Sequence, residues 1–139
     1  MTDVQPKGQL SFEYLLLTAA FFSLLLVFGG ALSKIRDAGF AAAECTAAKE
    51  FSNSFRDAAN SLSIYGAGSS KALSGRALGK WALETGGNSF SLIIDGSEHC
   101  ILPEVRVSAE FSRESIELES AFSLTLEKVS PNTLSVVGN

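Results

Sequence analysis

A chain of 139 residues is the size of one domain, and a net charge of −4 with pI about 5.0 lacks the basic surplus with which nucleic-acid binders neutralise phosphates. Mean hydropathy is +0.22, high for a soluble domain, and one uncharged stretch between Glu13 and Lys34 supplies much of it. Cys45 and Cys100 fit no Cys-x-x-Cys spacing, and no GxxxxGK[ST], GxSxG or HExxH occurs, which removes common signatures of metal, nucleotide and hydrolase chemistry.

Residues 1–8 (MTDVQPKG) are short and polar, with no reason to fold. Residues 14–33 read YLLLTAAFFSLLLVFGGALS, 20 uncharged residues that are mostly Leu, Phe and Ala. As a helix at about 1.5 Å per residue they span roughly 30 Å, the hydrocarbon thickness of a bilayer. A core built from the rest of this chain could hardly cover such a helix on every side. A cleaved secretory signal is the rival reading. Its apolar region is normally about 7–15 residues long, behind a basic stretch and ahead of a small-x-small site. Here the run is longer, only Lys7 precedes it, and Glu13 stands at its edge.

Residues 33–65 change character without a break. Apolar or small residues recur at Leu32, Ile35, Ala38, Ala42, Cys45, Ala48, Phe51, Phe55, Ala58, Leu62 and Tyr65, always three or four apart. Charged residues from Lys34 to Asp57 lie between them. No proline interrupts residues 7–102. One continuous helix over about residues 10–64 follows, first apolar all round, then amphipathic. Gly29-Gly30 and Gly39 are its candidate bends, and Gly66 and Gly68 its stop signals. Residues 71–84 are ambiguous: Leu73, Ala77 and Trp81 fit a helix, Gly75 and Gly79 oppose one, and the second part leans to strand.

From Ser89 the period becomes two. Phe90, Leu92 and Ile94 alternate with Ser89, Ser91 and Ile93; Val105, Val107, Ala109 and Phe111 with Arg106, Ser108 and Glu110; and Ile116, Leu118, Phe122, Leu124 and Leu126 with polar residues that include Glu117, Glu119 and Glu127. Such strands are half-buried and antiparallel. Asp95-Gly96 signals a hairpin turn and Pro131-Asn132 another, with a last short strand from Thr133 to Val137. The fold class is therefore α+β: a long N-terminal helix whose amphipathic half packs on a small antiparallel sheet of about five or six short strands.

The residues at the apolar boundary carry a pattern. Residues 7–17 read Lys-Gly-Gln-Leu-Ser-Phe-Glu-Tyr-Leu-Leu-Leu. This resembles the class III signal peptide of archaeal type IV-like pilins, in which a prepilin peptidase cuts ahead of a Gln that opens a Gln-x-Ser-x-Glu pattern. Gln9, Ser11 and Glu13 match in spacing, and Lys7-Gly8 match the residues before the cut. The likeness is close over about residues 6–30; beyond that only the layout agrees. It implies cleavage between Gly8 and Gln9, with a leader of residues 1–8 and a transmembrane or filament-core helix over 9–33. An amphipathic continuation over 34–65 and an extracellular β-rich head over 66–139 follow. It also implies a helical homo-oligomer with other pilin subunits, an assembly ATPase on a membrane platform, and membrane lipid as the surrounding before assembly. In that family the Glu at the fifth mature position, here Glu13, pairs with the N-terminal amine of a neighbour. A carboxylate in the first turn also suits the helix dipole, and an unpaired one in lipid is costly. The alternative role for Glu13 is an interfacial carboxylate that only sets topology.

With that topology both cysteines lie outside the cytoplasm, where a Cys45–Cys100 disulfide can form; two free buried thiols are the other reading. No enzymatic activity and no cofactor or metal is expected. His99 is the only histidine, and on a strand it would point away from neighbouring Cys100. Trp81 reads as core or interface, and Asp95-Gly96-Ser97-Glu98 is too short for a calcium loop. No Asn-x-Ser/Thr sequon occurs. Three functions remain open: a pilus-like subunit, major, minor or a pseudopilin; a monomeric single-pass membrane protein with an extracellular binding head; and a secreted binding domain with a removed signal.

Overall fold

One helix, α1 (Lys7–Ile64, 58 residues), opens the structure, a computed structural model that describes residues 7–95 and 100–138, with side chains from residue 12 onward. Within the described residues α1 is helical from Lys7 onward, ahead of the start near residue 10 that the sequence suggests. Lys7 and Gly8, expected to be unfolded, are therefore helical in backbone. α1 continues without a break through Gly29, Gly30 and Gly39. The chain divides into two compact units between Gly39 and Phe40.

Among its described residues the first unit is helix alone. Its most apolar stretch has a mean hydropathy of 2.3 and none of it is buried. The helix is long and apolar enough to cross a membrane. Three of its hydroxyls bond to the helix's own carbonyls. Thr18 Oγ1 donates to the carbonyl of Tyr14 at 2.9 Å, Ser23 Oγ to that of Ala19 at 2.8 Å, and Ser33 Oγ to that of Gly30 at 3.0 Å.

The second unit holds the rest of α1 and a sheet of three strands in the order β1-β2-β3. These are β1 (Ser70–Ile94), β2 (Val105–Ser130) and β3 (Thr133–Gly138). Residues 71–84, ambiguous in sequence, are strand throughout. The five or six short strands expected are thus three, two of them 25 and 26 residues long. The difference is physical. Gly79, which reads as a helix breaker, falls in a bulge, and a bulge bends a strand without ending it. Arg76 pairs with Ala121 and Lys80 with Glu119, so residues 77–79 stand opposite Ser120 alone, at φ 54°. A second irregularity lies at Gly87, φ 58°, which pairs with Phe111. At both, a left-handed residue turns the hairpin.

β1 and β2 are antiparallel from Ser70↔Glu127 to Phe90↔Val105. β3 is flanked by two stretches of β2. Leu126↔Val136 and Lys128↔Leu134 run in opposite senses, as in a hairpin, whereas Glu110↔Thr133 and Phe111↔Leu134 run parallel. The amide of Glu110 donates to the carbonyl of Asn132 at 2.8 Å, and that of Asp95 to the carbonyl of Lys80 at 2.9 Å. The long hairpin therefore curls back on itself, and its concave apolar face closes on the helix.

The core is aromatic. Phe51 and Phe55, one turn apart on α1, are its centre. Phe51 meets Phe122 edge-on at 5.0 Å and Trp81 at 6.2 Å; Phe55 meets Phe90 at 4.6 Å and stacks on Phe111 at 5.7 Å. Ala48, Ala58, Ala59 and Leu62 complete the buried helical face. Gly75 lies directly opposite Phe122, and a Cβ there would come 2.5 Å from the ring, so only glycine lets Phe122 lie over β1.

The sequence stripe is correct only from Cys45 to Leu62. Ala42 and Tyr65 are exposed, and so, in the first unit, are Leu32, Ile35 and Ala38. Glu44, which reads as a solvated residue, is buried instead. It lies one turn ahead of Ala48 on the core face and accepts a hydrogen bond from Trp81 Nε1 at 3.2 Å. Gly79 leaves room for it, since a Cβ there would collide with Glu44 Oε1.

Candidate functional site

Two sets of residues bear on function: the N-terminal part of α1 and the fastenings of the head. Gly8, Gln9 and Ser11 lie in the first turns of α1, and their side chains are outside the described residues. Glu13 is exposed and follows Gln9 by four positions, which brings the two to one helix face. From Phe12 to Phe40 the large apolar side chains are all more than half exposed. Each Leu or Phe gains about 1.5–3 kcal/mol when fully removed from water. Side chains in this number therefore demand lipid or protein around them.

The sequence leaves Cys45 and Cys100 either bonded or free. They are bonded, Cα atoms 5.6 Å apart, which fastens α1 to the connection between β1 and β2. His99, beside Cys100, and Gly96-Ser97-Glu98 lie outside the described residues. At the other end of the unit is a fastening that sequence reading missed. Lys128 is 4% exposed and its Nζ donates to the carbonyls of Ser63, at 2.7 Å, and Tyr65, at 2.6 Å. A cation on the last carbonyls of a helix satisfies groups that have no partner within it and opposes the negative end of the dipole. α1 has no basic residue in its own last turn, so β2 supplies it. A signal was available: Lys128 continues the inward series Leu124 and Leu126 at period two.

The solvated face of the sheet carries charge. Lys80 Nζ lies 3.2 Å from Glu119 Oε1, directly across the β1–β2 pair. The hydrogen bond and charge of Glu119 raise the Lys80 amine above its ordinary 10.5, with Glu117 and Asp95 adding to the effect. A separate cleft of about 520 Å³ holds Ser89, whose hydroxyl donates to Glu104, together with Arg113 and Glu114. Among the described residues no group of three or more His, Cys, Asp and Glu could hold a metal ion.

No family model, curated protein or solved structure matches the chain.

Proposed function

We propose that this chain is a membrane-anchored building block of a surface filament. More particularly, it is a structural subunit of an archaeal type IV pilus-like filament, cut by a prepilin peptidase between Gly8 and Gln9 and polymerised through α1. The observation that carries this reading is the Gln9-x-Ser11-x-Glu13 pattern at the start of a helix whose following apolar side chains are uncovered. A cut ahead of that helix leaves it attached to the product. The same side chains then meet lipid in the stored subunit and identical helices in the filament, and a head-to-tail contact that does not close gives a fibre. The carboxylate of Glu13 meets the amine of a neighbour's Gln9. The disulfide supports an extracellular head, since such bonds persist in oxidising compartments.

Shearing tests this reading. Filaments released from intact cells should pellet with this chain as a constituent. If the chain stays wholly with the cell membrane and sediments as a monomer in mild detergent, the anchored binding head is the better account.

A further inference from the structure

On its solvated face the sheet forms a cleft of about 410 Å³. Ala82 and Ile93 give it an apolar floor, and Asp95, Glu117 and Glu119 surround Lys80 at its rim. Ile93 is 48% exposed. Lys80 engages Glu119, while no ion pair among the described residues involves Glu117 or Asp95. The cleft therefore combines an uncovered aliphatic side chain with uncompensated negative charge. A partner that fits it presents an apolar side chain flanked by cations.

The chain carries such a run itself. Lys34-Ile35-Arg36 is on α1, Ile35 is 68% exposed, and Arg36 pairs with its exposed neighbour Asp37, at 3.5 Å. Successive helical residues are about 100° apart, so Lys34 and Arg36 diverge to opposite sides of Ile35, and it is their long stems that carry the charges toward the rim of a cleft receiving Ile35. We propose that the cleft around Ile93 is an interface between copies of this chain, receiving Lys34, Ile35 and Arg36 of a neighbour. This rests on the filament reading and deepens it: the head binds the helix of another subunit as well as enclosing its own. Opposite charges select the register of that contact, and like charges penalise others.

Charge exchange in the full-length chain tests the interface. Asp95→Lys with Glu117→Lys should cut sheared filaments at least tenfold while the protein remains in the membrane with its disulfide formed. Lys34→Glu with Arg36→Glu should do the same. The chain bearing all four substitutions should regain at least half of the wild-type filaments. Wild-type filament counts in either double variant, or no recovery in the combined one, overturn the proposal. Ile93→Ser keeps the charges and should reduce filaments by severalfold; an unchanged count also counts against the interface. If wild-type cells yield no filaments containing this chain, the filament reading fails first. If they do and the charge variants assemble normally, only the interface fails.

Discussion

Lys128→Met isolates the fastening between β2 and the end of α1. Methionine keeps an unbranched apolar stem in the buried site and removes the two hydrogen bonds to the carbonyls of Ser63 and Tyr65. A hydrogen bond to a charged group contributes about 1.5–3 kcal/mol. The carbonyls do not lose equally: Ser63 is half-buried, whereas Tyr65 is 61% exposed and water can replace the lysine there. The cation also interacts with the end of the helix dipole, by about 0.3–1 kcal/mol. Against these losses, methionine needs no desolvation. The balance is a destabilisation of about 2–3 kcal/mol, a substantial share of the 5–15 kcal/mol typical of a domain. Trp81 is the only tryptophan and is 2% exposed, so its fluorescence follows urea unfolding of the head in detergent. The midpoint should fall with little change of slope. Hydrogen exchange should quicken in the last turn of α1 more than at Phe51. A stability change below about 0.5 kcal/mol would refute the capping role.

Further outcomes follow from single residues. Replacing Cys45 and Cys100 by alanine opens a link across 55 positions, and the chain-entropy relation puts the loss near 4 kcal/mol, read as a lower urea midpoint. Ser120→Gly should stabilise the head by about 1 kcal/mol, because a non-glycine residue at φ 54° bears a left-handed cost that glycine avoids; a lower midpoint would contradict it. By NMR titration Lys80 should deprotonate above 10.5 and return toward that value in Glu119→Gln. As its folded pKa is raised, the pair's contribution is complete below 10.5 and disappears as pH rises through the folded value. Glu13→Leu should leave the chain in the membrane and abolish most filaments; normal filaments would remove the pairing role.

Much of this architecture is legible from hydrophobic period. The uncharged run after Glu13, the Cys45–Leu62 face and the alternation from Phe90 to Leu126 all emerge directly. What is not legible depends on partners distant in sequence. Glu44 is buried because Trp81 supplies a donor and Gly79 supplies space. Lys128 turns inward because α1 ends beside it. Gly75 and Gly79 read locally as breakers. Their role needs the opposite strand: Phe122 lies across Gly75, and bulges at 77–79 and Gly87 let two long strands curl where several short ones were expected. The processing pattern differs in kind. Gly8, Gln9, Ser11 and Glu13 are recognised by spacing alone, and the role proposed for them involves a peptidase and neighbouring subunits rather than the fold of one chain.

The most direct measurement is mass spectrometry of the N-terminus of the chain recovered from sheared filaments. The account predicts a polypeptide that begins at Gln9 and keeps the whole apolar segment. A chain that still carries Met1, or one that begins beyond residue 30, would contradict it.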